Sequence, residues 1–341
     1  MIDTPNKTIQ ITINPYLEFV NSVLLTANYN EITMPMFGFG LMNEEPNAYT
    51  EAIRQLFKGK ENSPAHNLIR KMIPDGFLFS RPVELALSLG SKLDFAREYD
   101  LSDLCVNYCG GEEKIKQLLH FLKELWEKID YPTFFEKHKS YYDSFLQKAQ
   151  KVVAQHDYVS SLESEYGKKC ASYQIVISSL MNGNFGVAFE KENLDDSALF
   201  SVLSTQGFSI SPAILFHEFS HPFINPLTEK YNACVKEYNE AYERLKPYKR
   251  PNFESGYGDW QECVNEHLVR AMVIHLLRKC GEDDAAEQML AQDLYNGYRF
   301  LPSILSSYDY YDQKRELYPT FDSYYLELLK VFCEKYNGLI N

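Results

Sequence analysis

The stretch SPAILFHEFSHPFINP, residues 211–226, sets three ionisable side chains within five positions of an otherwise apolar run. Charged or ionisable groups buried in such a run are costly unless something compensates them. Ser211 suits an N-cap and Pro212 the first helical position, so the run reads as a buried helix. On a helix, residues i and i+4 share a face, and His217 and His221 can therefore aim their imidazoles at one ion. Glu218 is turned about 100° away from His217, too far round to be an easy third ligand but placed to reach a water on that ion. H-E-x-x-H is thus a candidate zinc site with its own base. The competing reading is two core histidines that fall one turn apart. Pro222, which removes a backbone donor and disfavours helical angles at His221, predicts a kink or a helix ending within a turn.

A catalytic zinc takes a third protein ligand. No further histidine follows at the spacing a three-histidine site needs, so a downstream carboxylate is expected. The best segment is DWQECVNEHLVRAMVIHLLRK, residues 259–279, which has helical periodicity. Glu266 borders its apolar stripe, with Arg270 one turn on to orient the carboxylate, and is favoured over Glu262. Asp259 reads as the helix N-cap. His275 reads as a core-edge residue. His267 is either core or cleft-lining.

Residues 171–190 are rich in β-branched and aromatic types and carry Asn182-Gly183-Asn184 at their centre. This predicts an antiparallel hairpin with strands near 173–180 and 185–190. TIQITIN, residues 8–14, reads as a half-buried strand. Helices are expected over 16–29, 112–129, 133–155, 211–224, 228–246, 259–280, 283–296 and 321–336. KPYKRPNFESGYG and LPSILSSYDYYDQKRELYP read as turn segments between them. The fold class is α+β, mostly helical, with a small antiparallel sheet. A soft boundary near 165 divides a helical part (1–165) from a part carrying the motif (166–341).

Three short segments, NPYLEF, HEFSHPFINPL and NEHLVRA, resemble the bacterial family termed domain of unknown function DUF4932, and the HExxH with a later glutamate resembles the gluzincin metallopeptidases. The resemblance implies a zincin-like fold in which the hairpin lies beside the motif helix and its edge receives a peptide. It also implies a zinc hydrolase with His217, His221 and Glu266 as ligands, Glu218 as base, and a peptide or protein as substrate. An oxyanion donor is expected from Tyr295, Tyr298, Arg299 or His267, with Tyr298 preferred. The alternatives are a zinc-containing, non-catalytic binding module and a helical interaction protein with no metal.

The net charge of −13 and the absence of basic runs argue against a nucleic-acid partner. No apolar stretch is long enough to span a membrane. No signal peptide is visible, which predicts a cytoplasmic protein or one whose export segment lies outside this sequence. The seven cysteines, sparse and without a CxxC pair, read as buried free thiols; Cys105 and Cys109 are spaced as a metal pair would be, but no second pair accompanies them.

Overall fold

The structure is a computed structural model that describes residues 8–90, 92–189, 197–205, 210–248 and 258–333. It is α+β: mostly helical, with a small mixed sheet of four strands. The chain forms two compact units. One comprises residues 1–151 and 172–210, the other 152–171 and 211–341.

The first unit is organised around the helix Pro15–Thr26, capped by the Asn14 side chain, which accepts from the Leu17 N–H. Every residue of that helix after Pro15 is buried, including Glu18, Asn21 and Ser22. Strands β1 (Gln10–Thr12), β2 (Ser172–Ser178), β3 (Phe185–Phe189) and β4 (Ala198–Ser204) belong to the same unit. Their spatial order is β1-β2-β4-β3. β2 is parallel to both β1 and β4, and β3 runs antiparallel to β4.

The expected hairpin is therefore corrected. Two strands flank the Asn-Gly-Asn, but they do not pair with each other; β4 lies between them. The side chains that suggested a tight turn are engaged elsewhere. Asn182 donates to the carbonyls of Gly40 (2.9 Å) and Met42 (3.0 Å), and Asn184 accepts from the Ser204 N–H (2.9 Å). β4 is buried along its whole length. Its apolar residues come in adjacent positions, Ala198-Leu199-Phe200 and Val202-Leu203, rather than alternating, which suits a strand covered on both faces, with Ser201 and Ser204 buried among them.

In the second unit the motif helix runs Pro212–Lys230 and the helix carrying Glu266 runs Trp260–Lys279. Ser211 Oγ accepts from the Ile214 N–H (3.4 Å) and Asp259 Oδ1 from the Glu262 N–H (2.8 Å), so both expected N-caps are in place. The motif helix does not stop at Pro222 but continues through it and through Pro226. Each proline removes the donor to the carbonyl four residues earlier and crowds that carbonyl, a cost the surrounding packing absorbs. Phe216, Phe219, Phe223 and Ile224 keep the segment anchored by burial.

The Trp260–Lys279 helix is the centre of this unit and packs against Pro212–Lys230, Asp283–Asn296 and Leu301–Gln313. The last of these falls where a turn segment was expected. Pro302 sits in its first turn, and Leu301, Ile304, Leu305, Tyr308 and Tyr311 form its buried face. Tyrosine supplies apolar area while Tyr308 Oη still donates to the Leu268 carbonyl (2.9 Å). Residues 249–257 of the other expected turn lie outside the described residues, as does the end of the helix expected over 321–336; Phe321–Leu328 is helical.

All seven cysteines are free, and Cys105, Cys109, Cys170 and Cys263 are buried. Among the described residues no helix is long and apolar enough to cross a membrane.

Candidate metal centre

The two helices bring His217, His221 and Glu266 together, each offering one ligand atom within 4.8 Å of the others. The Nε2 atoms of His217 and His221 face each other at 3.1 Å. Glu266 Oε1 lies 3.5 Å from His221 Nε2, and Oε2 lies 3.9 Å from His217 Nε2. Donors bound to one ion at about 2.0–2.2 Å sit roughly 3–3.5 Å apart, so a small contraction brings all three into a first coordination shell. Glu262, the alternative ligand, is exposed and outside this group.

The surroundings fix which atoms point inward. His221 Nδ1 lies 3.2 Å from Asn225 Oδ1, one turn on. If Nδ1 carries the proton and donates there, the Nε2 lone pair is left facing His217. Arg270 Nε donates to Glu266 Oε2 (3.1 Å), leaving Oε1 towards His221. The guanidinium also donates to Asp293 Oδ1 (2.9 Å) and lies 4.3 Å above the Tyr298 ring.

Electrostatics favour the protonation states that bind cations. Burial pushes His217 down to about 3, with Glu266 opposing and His221 and Arg270 adding to the fall. At neutral pH its imidazole is uncharged and its lone pair free to coordinate. Burial alone would raise Glu266, but His217, Arg270 and His221, together with the Arg270 hydrogen bond, bring it down to about 2. For Arg270, burial opposes the charge, while Glu266, Tyr298 and Asp293 raise its pKa beyond the ordinary arginine value. A carboxylate and two histidines at the junction of two helices, with the acid locked by an arginine, form a donor set suited to zinc.

Glu218 is buried on the motif helix, one residue after the first ligand. The residues expected as oxyanion donors lie in differing surroundings. Tyr298 has no exposed surface and stacks on Arg270. Burial lifts its hydroxyl above the ordinary tyrosine range. It touches Arg270, which in turn donates to Glu266. His267 is fully buried, its Nδ1 2.8 Å from the Cys263 carbonyl and its ring against Tyr298, Phe300 and Phe332. Burial holds it near 4, and it is core rather than cleft. Tyr295 is 61% exposed, and Arg299 lies over the Tyr248 ring.

Two contributors were not singled out in the sequence. Asn225 follows His221 by one turn and was legible from that spacing. Asp293 comes from another helix, and no local pattern announces it.

The molecule is thus an α+β protein with a His-His-Glu cluster built on two packed helices. The chain belongs to the family described as Domain of unknown function (DUF4932), whose model matches residues 9–331. No curated protein and no solved structure matches it.

Proposed function

We propose that this protein is a zinc-dependent metallopeptidase of the gluzincin kind. The observation that carries the reading is the convergence of His217, His221 and Glu266 from separate helices, with a glutamate immediately after the first histidine. Zinc, when bound, supplies Lewis acidity and makes water more acidic near neutral pH. His217 and His221 contribute neutral imidazoles and Glu266 an anionic oxygen. Arg270 holds the other oxygen of Glu266 and stops the carboxylate from rotating away. Glu218 takes the proton of the attacking water and returns it to the leaving nitrogen. The substrate is a peptide or protein segment.

The test begins with metal content. Protein saturated with zinc and then desalted is compared with its His217→Ala/His221→Ala variant by mass spectrometry of the metal. The variant should hold about one zinc per chain fewer. Glu262→Gln should match the wild type. Equal zinc in wild type and double variant would sink the proposal. Arg270→Lys tests the orienting contact: Lys retains the charge but lacks the planar fork. Zinc affinity at this centre should fall about 10–100-fold, read by chelator competition. An unchanged affinity would mean that Arg270 balances charge without positioning Glu266.

A further inference from the structure

A second group of ligating side chains lies further along the Trp260–Lys279 helix, about 13 Å from Glu266 by helical rise. It consists of Glu165 from the helix Tyr158–Tyr166, His275, and Asp312 from the helix Leu301–Gln313. His275 Nε2 is 3.2 Å from Asp312 Oδ2 and 3.7 Å from Glu165 Oε1. These spacings match those of the first centre.

Two atoms in the group lack the partners that buried polar atoms ordinarily have. Glu165 Oε1 and His275 Nε2 make no hydrogen bond among the described residues, although their side chains are only 2% and 6% exposed. The short distance from His275 Nε2 to Asp312 is therefore not a hydrogen bond; a ring nitrogen and two carboxylate oxygens converge with no hydrogen bond joining the nitrogen to either acid. The charge count also leaves room for a cation. Lys279, one turn after His275, donates to Glu165 Oε2 (2.6 Å) and to both oxygens of Asp312 (3.1 and 3.0 Å). One ammonium against two carboxylates leaves a net negative charge. The lysine takes Oε2 of Glu165 and leaves Oε1 turned to the histidine. Asp309 is the carboxylate nearest the other ring nitrogen, 3.9 Å from His275 Nδ1. It stands on the side where metal-bound histidines commonly find a carboxylate. Asp312 is 32% exposed, which gives an ion a route in from solvent.

We infer that Glu165, His275 and Asp312 form a second site for a divalent transition ion of the zinc or manganese kind, one that ties three helices together. One nitrogen and two carboxylate oxygens suit either ion, with water completing the shell. The site is separate from the proposed catalytic centre and does not depend on the catalytic reading. Its contribution is to stability, because an ion bound only by the folded state stabilises that state.

The His217→Ala/His221→Ala variant isolates it. Incubated with zinc or manganese alone and then desalted, this variant should retain about one ion per chain and melt at a higher temperature than its metal-free form. Adding Asp312→Asn should weaken retention more than tenfold and abolish the metal-dependent rise in melting temperature. Asp312 is partly exposed, so this change spares the core if His275→Ala does not fold. No ion retained in the double variant with either metal would overturn the inference. Retention unaffected by Asp312→Asn would overturn it too.

Discussion

Glu218→Gln is expected to leave the zinc content unchanged and to lower peptide hydrolysis by about 10²–10⁴-fold, the usual share of a general base. Glutamine keeps the shape of the side chain and its helical propensity but accepts no proton at working pH. Glu218 is buried on the motif helix, and glutamine fills nearly the same volume there, so no cavity opens. Circular dichroism with a melting curve separates loss of activity from unfolding. Activity is followed by mass spectrometry on a mixture of unstructured peptides. Zinc retained with turnover lost in the variant supports the hydrolase. Zinc retained with no turnover in the wild type favours the binding module. A variant as fast as the wild type removes Glu218 from the mechanism and, with it, the reason the motif suggested hydrolysis.

The part of this site that was legible in the sequence is the part written locally. His217, Glu218 and His221 fall within one helical turn, and Ser211 and Asp259 mark the starts of the two helices that matter. Arg270 declared itself by its spacing from Glu266. Patterns that depend on distant residues were not legible. Asn182 and Asn184 look like a turn until their partners, Gly40, Met42 and Ser204, are known. The Leu301–Gln313 helix was obscured because its buried face is built partly from tyrosines among serines and aspartates. The contact of the Tyr298 ring with Arg270 joins two separate segments, and neither one announces it. Glu165, His275 and Asp312 come from three helices, and no spacing within any one of them hints at the group.

The same distinction governs Glu18, an acid in the first unit's central helix that the sequence presents as an ordinary helical glutamate. It has no exposed surface, and its Oε2 accepts from the hydroxyls of Tyr49 (3.0 Å) and Tyr142. Burial pushes its pKa up to about 7, against hydrogen bonds from Ser178, Tyr142 and Tyr49 that pull it down. Its folded-state pKa thus lies above the unfolded value near 4.5. The folded protein binds the extra proton between those two pH values. The stability this proton confers is fully present below about 4.5 and is lost as pH rises through about 7. The shift corresponds to roughly 3 kcal/mol. Glu18→Gln keeps an acceptor for the two tyrosines and carries no titrating proton. Urea denaturation of the metal-free protein from about pH 4.5 to 8 should show the wild type losing roughly 3 kcal/mol more than the variant over that range. The buried histidines shift stability in the opposite sense, since His217 and His267 are held at about 3 and 4 and destabilise the fold on acidification. They are common to both proteins and cancel in the difference. Parallel stability curves for wild type and Glu18→Gln would mean that the tyrosine hydroxyls stabilise the carboxylate well enough to offset its burial. Glu18 would then be charged in the folded core at neutral pH.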